Sequence, residues 1–325
     1  MNALKETSGR FSTFAHIQLV TAILTSLSLA ACGGSTSGTD TSATTATAAG
    51  TSTVGVLCDY SSSVFNSSPS VNATATASWS CTSTARALTA NGLPDHAVGT
   101  FPNADNPNTI SAQNISISVI VAPTETSVVT PRSGPTDKPG IALNGIVFDP
   151  GTGGTCNNTG TCQQGGPILG NWNLEALGQT SFKWGTDTNN AHVQPTGMYH
   201  YHGVPEGLVT KLNNGNKVMT LIGWAADGFP IYARYGYTAA ADASSAVKVV
   251  TASYRVKTMP DANRPATTLY PMGTFTQDYE YAAGLGDLDE CNGRIGVTPE
   301  FPKGIYHYYA TDTYPYLQRC VKGKL

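Results

Sequence analysis

Charge is scarce in this chain. Of 325 residues only 12% are Asp, Glu, Lys or Arg, 18 basic against 21 acidic, and no basic cluster appears. Such a surface offers a phosphate backbone no electrostatic footprint, which sets nucleic acid aside as a partner. Long apolar runs are missing too. The most pronounced, Ile17 to Leu29, falls short of the roughly 20 residues that a membrane-spanning helix needs. There is no serine nucleophile elbow, no His-Glu-x-x-His, no phosphate loop and no dinucleotide fingerprint, so the familiar signatures of those chemistries are excluded. Cys-x-x-Cys spacing is absent, which argues against a thiolate metal site. Helical periodicity is weak throughout.

What is present is concentrated. Gly197-Met198-Tyr199-His200-Tyr201-His202-Gly203 alternates aromatic and imidazole side chains with the period of an extended strand. In a strand His200 and His202 project from one face and Tyr199 and Tyr201 from the other. Two imidazoles about 7 Å apart along the backbone can lean together onto one metal ion at about 2.0–2.1 Å.

Residues 1–31 read as an export signal. Lys5 and Arg10 supply a positive start, the Ile17–Leu29 stretch an apolar middle, and Leu29-Ala30-Ala31-Cys32 the pattern at which a bacterial lipoprotein is cut and its Cys acylated. The expectation is a lipid bilayer as partner, reached through acylated Cys32 (palmitate among its chains). Gly33, rather than Asp, at the next position points to the outer membrane of a Gram-negative envelope. Removing Lys5, Glu6 and Arg10 with the signal takes the formal charge from −3 to −4. Residues 32–54, nearly all Ser, Thr, Ala and Gly, form a flexible tether that cannot bury a core. Residues 55–325 are expected to make one domain.

Six cysteines remain beside Cys32: Cys58, Cys81, Cys156, Cys162, Cys291 and Cys320. An even number in an exported chain reads as three disulfides. Fifteen pairings exist, and sequence neighbours suggest 58–81, 156–162 and 291–320.

The expected class is mainly β, an antiparallel sandwich-like domain with long disulfide-pinned loops. Strand-like runs fall at Ala112–Val121, Ile141–Phe148, Val218–Trp224, Ile231–Tyr237 and Ala246–Val256, punctuated by 34 Gly and 19 Pro. Trp172 to Leu177 reads as a short helical turn. The stretches 91–96, 101–108 and 151–166 read as long loops, of the kind that either carry function or tolerate insertion.

Five histidines follow the signal, and three of them, His192, His200 and His202, lie within one twelve-residue stretch, 191–202. Tyr306-His307-Tyr308-Tyr309 repeats the alternation, downstream of the acidic segment Asp287-Leu288-Asp289-Glu290. If the two strands lie side by side, His192, His200, His202 and His307 with one carboxylate form an N/O site suited to one transition metal, copper or zinc. The plainer reading is a hydrogen-bonded aromatic layer with each imidazole satisfied by a carbonyl or a Tyr hydroxyl. Asp227, in Asp227-Gly228-Phe229-Pro230, reads first as a turn residue and second as the carboxylate orienting a ligating His. Asp95 and His96 are adjacent, and so face opposite ways in extended chain.

The chain resembles the YHYH-domain family of bacterial exported proteins from about Asn91 to Gly323. The resemblance rests on the tetrad 199–202 and on Asn91-Gly92-Leu93-Pro94-Asp95-His96, Asn144-Gly145-Ile146-Val147-Phe148, Ala191-His192-Val193-Gln194-Pro195, Ala226-Asp227-Gly228-Phe229-Pro230-Ile231-Tyr232 and Asp289-Glu290-Cys291-Asn292-Gly293. It implies an exported envelope protein and no particular reaction. Tyr309 stands where some members place a second His, which leaves His307 the one imidazole of that segment. Three functional readings follow. The first is an envelope lipoprotein with a copper or zinc site, in which Tyr199, Tyr201, Trp224, Asp227 and Asp289 support the ligands. The second is a metal-dependent hydrolase of an envelope or extracellular substrate with Glu290 or Asp289 as base. The third is a metal-free module binding a small molecule, carbohydrate or peptide on Trp224 and the tyrosines.

Overall fold

The computed structural model describes residues 57–132 and 138–325. The signal segment, the tether and Cys32 lie outside these residues. Among the described residues no helix is long and apolar enough to cross a membrane.

The chain begins with an antiparallel meander of β1 (Ser61–Asn66), β2 (Ala73–Cys81), β3 (Ala85–Ala90) and β4 (Ile115–Ile120). In β2 the alternation is strict: Ala75, Ala77 and Trp79 are buried while Thr74, Thr76 and Ser78 face water, as one half-buried sheet face requires. Trp79 Nε1 donates to the carbonyl of Leu143 at 2.8 Å, tying the meander to the larger sheet behind it. β5 (Glu125–Pro131) pairs with the last strand, β21 (Cys320–Gly323).

The larger sheet has eight strands. They are β6 (Gly140–Ala142), β7 (Val147–Phe148), β11 (Ala191–Val193), β12 (Tyr199–Tyr201), β13 (Thr220–Ala225), β14 (Pro230–Ala233), β19 (Gly293–Gly296) and β20 (Ile305–Ala310). Their order is β11-β12-β7-β6-β13-β14-β20-β19. All neighbours run antiparallel except β12 with β7 and β14 with β20, which are parallel. The expected mainly β class and the antiparallel, sandwich-like packing are borne out, with a mixed eight-stranded sheet at the centre. One face packs Ile141, Leu143, Trp224, Tyr232 and Tyr309 against Trp79 and Leu88 of the meander. The other packs Phe148, Tyr199, Tyr201, Ile222, Tyr306 and Tyr308. Each large side chain so buried contributes about 1.5–3 kcal/mol.

Between these strands lie shorter excursions. β8 (Thr155–Cys156), β9 (Cys162–Gln163) and β10 (Trp172–Asn173) form a small sheet with its own Trp172–Leu174–Phe275 cluster. The helical turn expected at Trp172–Leu177 is instead this edge strand, because Trp172 pairs with Cys156 and its indole packs on Phe275. The helix α1 falls at Glu206–Asn213, where Pro205 opens it and left-handed Asn214 closes it. β15 (Tyr235–Tyr237) pairs with β16 (Val247–Val249), and β17 (Tyr254–Val256) with β18 (Tyr279–Tyr281). The disulfides are 58–81, 156–162 and 291–320, the pairing that sequence proximity suggests.

Candidate metal centre

The β11–β12 hairpin assembles three imidazoles from register alone. Its turn closes through Gly197 N–H to Gln194 O at 2.8 Å and Gln194 N–H to Met198 O at 2.9 Å. That register sets His192 directly opposite His200, and Val193 opposite Tyr199. His202 lies two residues further along the same face, its N–H bonded to Asn190 O at 2.7 Å, which makes it the diagonal neighbour of His192. The three ring centroids are 4.6, 4.7 and 4.7 Å apart. One nitrogen from each lies within 4.8 Å of the others, and all three residues are buried.

The nitrogens are arranged as ligands are. A backbone carbonyl can only accept, so His192 Nδ1–H donates to Trp184 O at 2.7 Å and His200 Nδ1–H to Met198 O at 3.2 Å. Each ring therefore carries its lone pair on Nε2, and its orientation is fixed by the far nitrogen, as in ligating histidines. His202 Nε2 approaches His192 Nε2 at 3.1 Å. Two donors at about 2.0–2.1 Å from a tetrahedral ion stand about 3.3–3.4 Å apart. His202 Nδ1 is buried and has no hydrogen-bond partner. The Nε2 spacing is what places His202 as a ligand; its Nδ1 has no partner whether or not Nε2 ligates. The residues present fit a soft-to-borderline transition ion. Burial lowers the affinity of all three rings for protons, His192 moderately, His200 and His202 strongly, and the neighbouring imidazoles add to this for the latter two. They are neutral near pH 7, the state in which imidazole binds metal.

Above His192 and His200 is a cavity of about 500 Å³. Two of the long loops read from the sequence wall it: Asn106 and Asn108 from one, Thr152 and Gln164 from the loop pinned by Cys156–Cys162. Asp149 also lines it, with its Oδ2 4.0 Å from His200 Nε2. This carboxylate is held by Lys138 and by Gln194 Nε2 at 2.9 Å. Burial pushes its pKa up while those two partners work against the rise. Asp149 was not legible as a site residue, because only the parallel pairing of Val147 with His200 brings the end of β7 to the triad.

The other expected site residues go elsewhere. His307 lies on β20, and four strands separate it from β12, so the two tyrosine–histidine strands are not side by side. Its Nδ1–H donates to Ile305 O at 2.9 Å and its Nε2 accepts from Tyr309 O–H at 3.0 Å, which leaves no lone pair free. Asp289 accepts from Tyr306 O–H at 2.9 Å and from the backbone N–H of Cys291 and Gly293, and Glu290 pairs with Lys322. Lys322 and its own backbone N–H hold Glu290 below the usual carboxylate range in spite of partial burial. Neither carboxylate belongs to the His cluster. Asp227 takes Tyr308 O–H at 2.6 Å and the Gly323 and Phe229 N–H groups, the turn-fixing role rather than that of a His orienter. Trp224, Tyr199 and Tyr201 are at most 1% exposed, so they offer no stacking surface.

Tyr199 and Tyr201 do back the triad from the opposite face. Tyr199 O–H donates to Asp187 at 2.8 Å. Tyr201 O–H donates to His96 Nε2 at 2.6 Å and accepts from Asn144 Nδ2 at 3.0 Å, and Asn144 passes the chain on to Asp95 and Lys211. Asp95 and His96 thus diverge, as adjacent residues should, and meet again through Tyr201. His96 and Asp187 are contributors that their isolated sequence positions did not reveal.

A family model described as YHYH protein matches residues 116–323. No curated protein and no solved structure matches the chain.

Proposed function

The chain belongs to the YHYH protein family, and from that premise we propose that His192, His200 and His202 hold one transition-metal ion, copper or zinc. The observation that carries this reading is the convergence of three buried, neutral imidazoles at ligand spacing, two of them, His192 and His200, oriented by backbone carbonyls. Three imidazoles with a cavity beside them match the donor set of zinc sites that keep a position open, and imidazole suits copper equally. Elemental analysis of protein purified without chelators or affinity-column metal tests it. A near-stoichiometric ion that disappears in His200→Ala/His202→Ala supports the site. A protein that carries none and takes up no added zinc or copper sinks it.

A second reading is favoured by one observation, the cavity that opens on His192 and His200 with Asp149 in its wall. It is metal-assisted hydrolysis of an envelope or extracellular substrate. A bound ion of this type supplies Lewis acidity toward a carbonyl or phosphoryl oxygen. The base would be Asp149, not Glu290 or Asp289, and Lys138 and Gln194 would hold its carboxylate in place. Asp149→Asn should then keep the metal and lose turnover in a screen of ester, amide and phosphoester substrates. A metal-free aromatic binding module is disfavoured by the burial of Trp224 and the tyrosines.

For location, the proposal is an exported lipoprotein anchored through acylated Cys32. Its support is the signal pattern of residues 1–32 and three disulfides, which need an oxidising compartment. Labelled palmitate should enter the wild-type chain and not Cys32→Ser; equal labelling would refute the anchor.

A further inference from the structure

The order of the eight-stranded sheet is a palindrome. Reading outward from its centre in either direction gives a hairpin, then a strand parallel to the hairpin's second member, then that strand's antiparallel partner. The central pair is itself symmetric. Ile141 of β6 faces Trp224 of β13, and Gly140 and Ala142 face Ala225 and Gly223. We infer that the sheet is a duplicated four-stranded unit, and that Arg294, His307 and Tyr309 are the second copy of the His192–His200–His202 site, closed by a guanidinium in place of a metal ion.

The hydrogen bonds agree pair by pair. The turn between β6 and β7 closes with Ala142 N–H to Ile146 O at 2.8 Å and Gly145 N–H to Ala142 O at 2.9 Å. The turn between β13 and β14 closes with Ala225 N–H to Phe229 O at 2.8 Å and Gly228 N–H to Ala225 O at 2.9 Å. Both place a glycine at φ near +80° (81° and 88°). Both carry an Asn or Asp side chain that caps the turn two residues on at 3.3 Å and also bonds a tyrosine hydroxyl: Asn144 that of Tyr201, Asp227 that of Tyr308.

The outer strands repeat just as closely. Asp187 N–H bonds Ala191 O at 2.8 Å, its carboxylate takes Asn189 N–H at 2.9 Å and Tyr199 O–H at 2.8 Å, and left-handed Asn190 follows. Asp289 N–H bonds Gly293 O at 2.9 Å, its carboxylate takes Cys291 N–H at 3.0 Å and Tyr306 O–H at 2.9 Å, and left-handed Asn292 follows. Asn190 O receives His202 N–H; Asn292 O receives Tyr309 N–H.

This correspondence of register assigns each member of the triad a counterpart. His200 faces His192, and His307 faces Arg294. His200 and His307 each donate Nδ1–H to the carbonyl two residues back. His202 meets His192 at 3.1 Å, and Tyr309 meets Arg294 at 3.2 Å. His192 donates outward to Trp184 O at 2.7 Å, and Arg294 to Tyr237 O at 2.8 Å. In the second copy the cation is covalent: Arg294 brings a permanent charge to Tyr309, and Tyr309 satisfies His307.

The test rests in part on the metal reading and is built to fail separately from it. In the full chain, Arg294→His/Tyr309→His restores both missing imidazoles. Bound zinc per chain should rise from one to two by elemental analysis after dialysis. A folded variant that stays at one overturns the inference. The reciprocal swap, His192→Arg/His202→Tyr, should fold, bind no ion, and melt in chelator within a few degrees of wild type. A swap that unfolds overturns the inference whatever the first variant does. Wild type without zinc would sink the metal reading alone and leave the duplication to the swap.

Discussion

The two tyrosine–histidine strands carry nearly the same residues and put them to different ends. In β12 and in β20 two alternate tyrosines, Tyr199 and Tyr201 or Tyr306 and Tyr308, bond carboxylates or an amide, and a histidine on the other face is steered by a carbonyl two residues back. The difference lies across the hairpin and one step along. In the first, His192 and His202 add two imidazoles to His200, and one nitrogen of each of the three lies within 4.8 Å of the others; in the second, the Ile305 carbonyl and the Tyr309 hydroxyl use both nitrogens of His307, and Arg294 bonds that hydroxyl. The alternation therefore decides which way an imidazole points, and its two neighbours decide whether it joins a cluster that could hold an ion or fills a core position.

The sharpest way to break this comparison is to remove one imidazole from each side. His202→Ala should weaken zinc or copper binding by at least about 100-fold, since disturbing an orienting partner alone costs 10–100-fold. His307→Ala should leave metal content unchanged and instead destabilise the fold by about 2–4 kcal/mol, through a cavity and a Tyr309 hydroxyl proton left without its acceptor. Titration with a competing chelator and urea unfolding read the two effects. If His307→Ala loses the ion, the assignment of the two strands is wrong.

Acid sharpens the contrast next. Burial lowers the pKa of His307 to about 4, against roughly 6.5 in an unfolded chain. Between those values the unfolded state binds more protons, so stability is full above pH 6.5 and falls as the pH drops toward 4, by about 3 kcal/mol at the limit. The triad acts in the same direction, because its pKa values are lowered too. Buried Asp227 and Glu300, whose pKa values are raised, act in the opposite sense, so the comparison has to be with variants. Urea midpoints at pH 7.5 and 4.5 should differ less in His307→Gln than in wild type. Saturating zinc should enlarge the difference, since protons must displace the ion before the triad can titrate. Parallel pH profiles for wild type and His307→Gln would refute the account.

The turns test the symmetry without touching either cluster. A Cβ at Gly145 would lie 2.3 Å from the Ala90 Cβ, and one at Gly228 would lie 2.3 Å from the Ile120 carbonyl oxygen. Both positions also have positive φ, which an added side chain resists. Gly145→Ala and Gly228→Ala should each cost roughly 2 kcal/mol in chemical denaturation. A loss at one position only would separate the two turns that the duplication equates.

Much of this was legible in the sequence, and the reason it was lies in short-range physics. Alternation gave the facing of His200 and His202, sequence proximity gave the disulfides, and the turn signal at Asp227-Gly228 gave the hairpin of β13 and β14. The rest depends on contacts between distant segments. A site that includes His307 requires the two tyrosine–histidine strands to lie side by side. The parallel crossovers put β7 beside β12 and β14 beside β20 instead, with four strands between the two motifs. The same crossover brings Asp149 to the triad. The duplication is not legible in the sequence because excursions of unequal length, the β8–β10 sheet in one unit and the β15–β16 and β17–β18 pairs in the other, destroy any fixed period, and because Arg294 and His192 look unrelated until register aligns them.

The smallest effect discriminates most finely. Tyr199 and Tyr306 each donate to an aspartate that fixes the loop before the outer strand. Phe at either position removes one hydroxyl and leaves a carboxylate one donor short, which should cost about 1 kcal/mol in both halves. The consequences for the metal should differ. Tyr199 stands between Met198, whose carbonyl orients His200, and His200 itself, so Tyr199→Phe should loosen the triad and weaken metal binding by roughly 10-fold. Tyr306→Phe touches only the copy closed by Arg294 and should leave the affinity where it was. Equal stability losses with unequal affinity losses would mean that one scaffold serves two ends. Equal affinity losses would mean that the halves are coupled, and the second copy would then belong to the working site.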